Sequence, residues 1–285
     1  MALARTEASQ IMKILICPDK FKDSLSSQEV CAAILEGVSR KGIEVQCKTS
    51  PLADGGEGTC ELLTRFYQGK MVSVTVAGPV FTPLIAEYGI TSDGRTAFIE
   101  MAKASGLVLL PTEKRNPLLT TTLGTGELIR DAISRGVSQI VMGIGGSATN
   151  DGGIGMASAL GFEFLDRAGH VLRPNGENLV RLHSVRDKNV IARLNEVEFI
   201  TLCDVDNPLY GPNGAAFVYA PQKGADSEGV GRLDVGLRNF EQVILKSFGR
   251  HVNIPGAGAA GGLGAGARVF LNSKMEKGFN YVVKT

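Results

Sequence analysis

Surplus charge of either sign is almost missing from this sequence of 285 residues, which carries 30 Lys and Arg against 29 Asp and Glu. Binding to a nucleic acid backbone requires clustered surplus cations, so this balance argues against nucleic acid as a partner. No stretch approaches the ~18 uninterrupted apolar residues of a membrane span. The first ten residues also lack the apolar segment of a secretory leader, and we therefore expect no membrane partner.

Patterns for disulfides and metal binding are equally scarce. The five cysteines are odd in number and form no C-x-x-C pair, which argues against a disulfide framework or a thiolate zinc site. The three histidines are spaced unlike any two-histidine zinc motif. Because free thiols are typical of a reducing compartment, we expect a cytoplasmic protein.

Glycine is present in excess, at 36 of 285 residues, against a usual ~7%. The apolar fraction of 44% and the charged fraction of 21% are those of a globular protein with a buried core. The excess of glycine therefore predicts loops whose function depends on the backbone.

The first 50 residues predict a strand, a helix and a second strand. An apolar run at 14–17 ends at Pro18, a capping-box pattern from Ser26 to Glu29 begins a helix, and residues 45–49 form the second strand. Such a βαβ unit has parallel strands, and its functional loops follow their C-terminal ends.

Beyond residue 70 the predicted strands alternate apolar and polar positions, which favours a mixed sheet with antiparallel pairs. The change of pattern near Gly78 predicts a domain boundary. Helices are expected at 58–67, 125–135 and 226–248. Further strands are expected at 139–144, 197–202, 217–220 and 279–283.

The densest candidate site is the glycine-rich loop at 143–153, between a predicted strand and a helix. Its backbone N–H groups and polar side chains predict an anion-binding nest. The candidate contacts are Gly145, Gly146, Ser147, Thr149 and Asn150. Asp151 follows as a carboxylate that can accept a proton or hold a cation. Two alternatives stay open: a tight turn needed for packing, and a G-x-G-x-x-A dinucleotide fingerprint at 143–148, which would indicate a nicotinamide-dependent oxidoreductase.

A second glycine-rich segment, residues 51–59, follows the second predicted strand. Asp54 and Glu57 are spaced to place two carboxylates on one face, which suits Mg²⁺. Gly55 and Gly56 allow the backbone to approach a ligand closely. The alternative is an aspartate that only caps the following helix.

Further charged residues and glycines lie after other predicted strands. These candidates are Lys20, Lys22, Asp204, Lys223, Gly258, Gly261 and Gly262. Taken singly, each is more common in a solvated loop or a turn. Together with the two glycine-rich segments they are the groups required for metal-assisted phosphoryl transfer, which depends on charge neutralisation and alignment.

The chain resembles the bacterial glycerate kinase family with a two-domain fold, from about residue 12 to residue 283. Eight ordered segments carry the resemblance: 18–22, 51–59, 99–107, 121–129, 143–153, 203–211, 221–225 and 255–265. It implies phosphorylation of D-glycerate by ATP. The implied α/β fold is a flavodoxin-like (Rossmann-type) domain at 11–77 and 255–285, with an inserted α/β domain of mixed sheet and restriction-endonuclease-like topology at 78–254.

With this resemblance, we assign each candidate a role. Phosphate or the glycerate carboxylate is expected to contact Lys20, Lys22 and Lys223. Mg²⁺ is expected to contact Asp54, Glu57 and Asp204. Phosphates are expected at the loops 145–150 and 256–262, and Asp151 is expected to accept the hydroxyl proton of glycerate.

The chain departs from the family pattern in two places. Lys20 stands where the family usually has Ser, and the family continues for about another quarter of its length beyond the position of Thr285. The second departure predicts an incomplete flavodoxin-like domain, and it leaves open a non-catalytic relative that binds glycerate or nucleotide. The expected partner is D-glycerate, and a homodimer is an open alternative to a monomer.

Overall fold

A parallel strand pair and a six-stranded mixed sheet are the frameworks of two separate units. The computed structural model describes residues 11–21, 24–42, 44–53 and 55–284. The units comprise Met1–Ala53 and Asp54–Thr285.

In the first unit, strand β1 (Met12–Ile16) pairs in parallel with β2 (Val45–Thr49), and helix α1 (Ser27–Arg40) connects them. The predicted capping box is confirmed: the Glu29 N–H donates to Ser26 Oγ at 3.2 Å, and the Ser26 N–H donates to Glu29 Oε2 at 2.7 Å. These bonds satisfy N–H groups that the first helical turn leaves without partners, which explains why the helix begins there.

The second unit contains the remaining elements. Its strands are β3 (Lys70–Ala77), β4 (Pro83–Ile90), β5 (Thr96–Glu100), β6 (Gln139–Gly143), β7 (Glu163–Leu165), β8 (Ser184–Arg186), β9 (Glu198–Leu202) and β10 (Lys274–Glu276). Its helices are α2 (Thr59–Phe66), α3 (Ala102–Ser105), α4 (Leu123–Ser134), α5 (Ile154–Ala159), α6 (Ala215–Tyr219), α7 (Ser227–Phe248), α8 (Ala259–Phe270) and α9 (Gly278–Lys284). Short 3₁₀ turns occur between several of them, including one at Pro221–Lys223.

The strand order of the large sheet is β10-β9-β6-β5-β4-β3. The pairs β3–β4 and β4–β5 are antiparallel, whereas β5, β6, β9 and β10 run parallel, so the predicted mixed α/β architecture is confirmed. In register, Glu100 of β5 lies opposite Gly143 of β6, which lies opposite Leu202 of β9. The loops that follow these strands therefore leave one edge of the sheet side by side.

Both faces of this sheet are covered. Along β6, Ile140 and Met142 belong to a large buried cluster, while the alternate residue Val141 belongs to a smaller cluster beneath α2. The predicted apolar face of α7 is confirmed, since Leu233, Leu237, Phe240 and Ile244 are all buried. In the described part of the chain, no helix is both long and apolar enough to cross a membrane.

Two predicted strands are wrong. Residues 217–220 belong mainly to helix α6, whose Ala215 and Ala216 are buried while Phe217 is exposed. Residues 279–283 belong to helix α9. Phe279 and Val283, four positions apart, are both exposed, which is the spacing of one helix face. Apolar runs this short do not distinguish a strand from a helix. The flavodoxin-like and restriction-endonuclease-like topologies and the domain limits at 11–77, 78–254 and 255–285 stay predictions.

Candidate active site

Three segments of the second unit meet at the carboxyl edge of the parallel strands. A Cβ atom added to Gly143 would lie 2.3 Å from the carbonyl oxygen of Gly55, and one added to Gly55 would lie 2.9 Å from Cβ of Leu202. Contacts this short exclude any side chain, and Gly55 also has a φ of 86°, which glycine adopts readily. Gly56 continues this segment alongside the loop, with its Cα 3.2 Å from the position of a Cβ on Gly145.

The loop after β6 has an exposed tip and a buried remainder. Gly145 and Gly146 are exposed, whereas Ser147, Thr149 and Asn150 are buried. Backbone hydrogen bonds attach this loop to the segment after β5: the Leu107 N–H donates to Gly146 O at 2.8 Å, and the Ala148 N–H donates to Ser105 O at 2.9 Å. The predicted anion-binding residues are thus held together, with the glycine tip open to solvent.

Lys223 lies against the same loop, as the end of the short 3₁₀ turn at Pro221–Lys223. Its Nζ donates to Ser147 Oγ at 2.6 Å and to the carbonyl oxygen of Thr149 at 2.7 Å. Only 2% of the residue is exposed, and this burial lowers the pKa of Lys223 to about 7 although Asp151 acts in the opposite sense. The site therefore contains a buried amine whose charge depends on pH near neutrality.

Polar atoms without protein partners occur on Thr149, whose carbonyl oxygen accepts from Lys223, and on Asn150, the next residue of the loop. The hydroxyl of Thr149 and both amide atoms of Asn150 are buried and form no hydrogen bond within the protein. Most buried polar atoms are hydrogen-bonded, because leaving one unpaired costs ~1–3 kcal/mol. The hydrogen-bonding capacity of these three buried atoms is therefore unused within the protein.

The glycine segment at 256–262 packs tightly against other backbone. A Cβ on Gly261 would lie 2.0 Å from Thr149 O, and one on Gly258 would lie 2.1 Å from Pro208 O. The N–H of Gly258 already donates to Asn207 O, and that of Gly262 donates to Gly258 O. These contacts explain why glycine is required here, and the phosphate-binding role of Gly258, Gly261 and Gly262 stays a prediction.

Asp151 lies fully buried at the junction of two helices. Its Oδ2 accepts from the N–H and the hydroxyl of Thr122, both at 2.8 Å, and from the Gly155 N–H at 3.2 Å; its Oδ1 accepts from the Gly153 N–H at 3.0 Å. Thr122 precedes α4 and Gly153 precedes α5, so the carboxylate connects the starts of both helices. Burial raises the pKa of Asp151 although these four bonds act to lower it. Proton acceptance by Asp151 stays a prediction.

The predicted Mg²⁺ contacts do not form a complete site in the described residues. Asp54 lies outside them, Glu57 is exposed, and Oδ1 of Asp204 accepts from the Gly278 N–H at 3.1 Å. Among the residues that the structure describes, no group of three or more His, Cys, Asp or Glu side chains is arranged to hold a metal ion. Lys20 belongs to the first unit and Lys22 lies outside the described residues, so the roles of both stay predictions.

One buried carboxylate at this edge was missed by sequence reasoning. Glu100, the last residue of β5, is 3% exposed; its Oε1 accepts from the Cys60 N–H at 2.7 Å, while its Oε2 has no partner. Burial, together with the Glu61 carboxylate, raises the pKa of Glu100 to about 7. The sequence signal for it is its position directly after the apolar Ala97-Phe98-Ile99 run, which places a carboxylate at the end of a buried strand.

The comparisons with known proteins agree with one another. A sequence model of the glycerate kinase family matches residues 14–285. A glycerate kinase of Halalkalibacterium halodurans is 46% identical over 272 residues, which are 95% of this chain and 72% of that protein. A glycerate 2-kinase of Escherichia coli K12 is 45% identical over 274 residues, which are 95% of this chain and 71% of that protein.

A solved structure gives the same result. A crystal structure from Salmonella typhimurium LT2, of a protein assigned as glycerate kinase 2, is 43% identical to this chain and has a TM-score of 0.88. The match covers 96% of this chain and 74% of the other. The glycine loop at 143–153 and Lys223 both lie within the range that the family model matches. The chain therefore belongs to the glycerate kinase family.

Proposed function

We propose that this chain is a glycerate kinase, which transfers the γ-phosphoryl group of ATP to D-glycerate and releases phosphoglycerate and ADP. The observation that carries the proposal is the buried amine of Lys223, bound to a glycine loop that also contains unpartnered polar atoms of Thr149 and Asn150. Relatives named as glycerate kinases, at 46% and 45% identity, support the choice of substrate.

Lys223 and the loop 145–150 are proposed to bind an anionic group, either a phosphate of ATP or the carboxylate of glycerate. An anion beside a lysine of lowered pKa favours the ammonium form, so ligand binding near neutral pH should be accompanied by proton uptake. The glycines at 55, 56, 258, 261 and 262 and the lysines at 20 and 22 are proposed as further contacts to ATP or glycerate.

Mg²⁺ neutralises the phosphate charge of ATP when it is bound. Asp54, Glu57 and Asp204 are proposed as its carboxylate contacts. Because no complete set of ligands is found among the described residues, no catalytic step is assigned to the metal.

Two rival functions make different predictions. An oxidoreductase built on the fingerprint at 143–148 would bind NADH, but α5 begins only at Ile154, whereas the fingerprint requires a helix that opens within the glycine motif. A non-catalytic relative would bind glycerate or nucleotide without releasing ADP.

A coupled ADP-release assay with D-glycerate, ATP and Mg²⁺, repeated with each component omitted, tests the proposal. A kinase releases ADP at full rate only when all three are present. Equal ADP release without glycerate, or binding of either ligand with no ADP release, would contradict it. Oxidation of NADH without Mg²⁺ would instead support the oxidoreductase.

The cellular location and the oligomeric state are also proposals. All five cysteines lie among the described residues and none is paired, which supports a reducing compartment such as the cytoplasm. A homodimer is proposed as the assembly, and light scattering after size-exclusion chromatography would test it, since a monomer mass of 30.1 kDa would contradict it.

A further inference from the structure

The two buried carboxylates of the site differ in how their oxygens are used. Both oxygens of Asp151 accept hydrogen bonds, from four donors in all. Glu100 uses Oε1 only, and its Oε2 is buried without a hydrogen-bond partner. A carboxylate oxygen can accept two hydrogen bonds, so Asp151 keeps one acceptor position on Oδ1, whereas Oε2 of Glu100 is wholly unused. The geometry therefore leaves Glu100 the greater capacity for an incoming proton.

Glu100 lies beside Gly143, the first residue of the glycine-rich loop at 143–153. It is opposite Gly143 in the register of β5 and β6, and its Cγ would be 3.9 Å from a Cβ on Gly143. The next residue, Met101, donates its N–H to Gly143 O at 3.0 Å. The chain that continues from Glu100 is the segment whose Ser105 and Leu107 are hydrogen-bonded to the loop.

Helix capping explains the role of only one of the two carboxylate oxygens of Glu100. Gly58, which precedes α2, has no side chain to cap the helix, and Glu100 Oε1 replaces that cap by accepting the Cys60 N–H. A single uncharged acceptor oxygen would be enough to bind the Cys60 N–H. The second oxygen and the hydroxyl of Thr59 are both buried without a partner, and Glu100 and Thr59 both line a cavity with room for about one water.

We propose that Oε2 of Glu100 accepts the hydroxyl proton of the glycerate through one water during phosphoryl transfer; this inference rests on the proposed kinase function. The glycerate oxygen forms a bond to the γ-phosphorus as its O–H proton moves to Glu100. The bond between the γ-phosphorus and the bridging oxygen breaks, and ADP leaves with that electron pair. Glu100 then returns the proton to solvent.

The charges that face Glu100 come from three elements. Glu61 lies on α2, Glu57 lies in the loop before it, and Lys103 lies on α3; the Cys60 thiol, also on α2, is uncharged because burial raises its pKa. Lys103 Nζ is 2.7 Å from Glu61 Oε1. Glu61 and Glu57 raise the pKa of Glu100, while Lys103 lowers it, so the value of about 7 can be shifted in both directions by substitution.

The experiment compares Glu100→Gln, Glu61→Gln and Lys103→Met with the wild-type chain in glycerate-dependent ADP release over a range of pH. Glu100→Gln keeps an oxygen for the Cys60 N–H and should lower kcat ~100-fold or more with KM nearly unchanged. Glu61→Gln should move the acidic limb of the kcat profile to lower pH, and Lys103→Met should move it to higher pH. A role limited to capping predicts none of these shifts.

Each outcome of this experiment either supports or overturns the proposed role of Glu100. Wild-type kcat in Glu100→Gln, or an acidic limb that is the same in Glu61→Gln and Lys103→Met as in the wild type, would overturn the inference alone. If Glu100→Gln does not fold, the opposite shifts of the two neighbouring variants still support or refute it. A wild-type chain without glycerate-dependent ADP release would remove the proposed function, and the inference with it.

Discussion

Nζ of Lys223 donates a 2.6 Å hydrogen bond to Oγ of Ser147, a residue 76 positions earlier in the chain. Lys223→Met removes this cation and keeps most of the side-chain volume. We expect kcat/KM for glycerate-dependent ADP release to fall ~100-fold or more, because a charged contact to an anionic ligand is lost from a buried site. Steady-state kinetics of both proteins measure the change.

Lys246→Met is the matched control. Lys246 is exposed near the end of α7, and its substitution should leave kcat/KM within about twofold of wild type. If both variants are as active as the wild-type chain, the assignment of Lys223 to ligand binding is wrong.

The buried lysine should also make stability rise with pH above neutrality. Burial lowers the pKa of Lys223 from 10.5 to about 7. Between these values the unfolded chain binds a proton that the folded chain does not, so the free energy of unfolding increases with pH, by at most about 1.4 kcal/mol per pH unit. Urea unfolding at several pH values in this range measures the slope. The slope should be smaller in Lys223→Met, and identical slopes would contradict the prediction.

The unpartnered hydroxyl of Thr149 should affect binding and stability in opposite directions. Thr149→Val keeps the shape of the side chain and removes a buried oxygen that has no protein partner. We expect the free energy of unfolding to stay the same or to rise by about 1 kcal/mol, and the affinity for ATP or glycerate to fall. Urea unfolding and titration calorimetry measure the two quantities. A clear loss of stability with unchanged affinity would show that the hydroxyl serves the fold.

Asp151 should matter mainly for stability. In Asp151→Asn, the amide nitrogen meets N–H and hydroxyl donors where an acceptor oxygen was bound. We expect a loss of about 2–4 kcal/mol, because a buried hydrogen-bond network that joins α4 to α5 is broken.

Unfolding curves and the kcat of the folded fraction separate the two roles of Asp151. A stable variant with kcat lowered by orders of magnitude would instead support Asp151 as the proton acceptor, and would count against Glu100.

Local patterns predicted the elements whose cause is local. The capping box at Ser26 and the apolar face of α7 depend on spacings within a few turns, and both are confirmed. The short runs at 217–220 and 279–283 carry too few residues to distinguish a period of two from a helical period.

The site could be predicted by residue type but not by contact. Ser147, Thr149, Asn150 and Lys223 were identified from the sequence, and the structure brings them together. The sequence could not reveal which carboxylate oxygens already accept hydrogen bonds from other parts of the chain. Two of the four donors to Asp151 belong to Thr122 at the start of α4, and the donor to Glu100 belongs to α2, so these contacts depend on tertiary packing.

The contact between Gly143 and Gly55 limits how this family member can vary. The main chains of Gly143 and Gly55 are in contact with no side chain between them, so main-chain atoms alone set the distance between the two segments at this end of the sheet. Ordinary substitutions can neither widen nor narrow it. Evolution of a new acceptor preference in this protein would therefore have to proceed through residues whose side chains vary freely, while these two positions stay fixed.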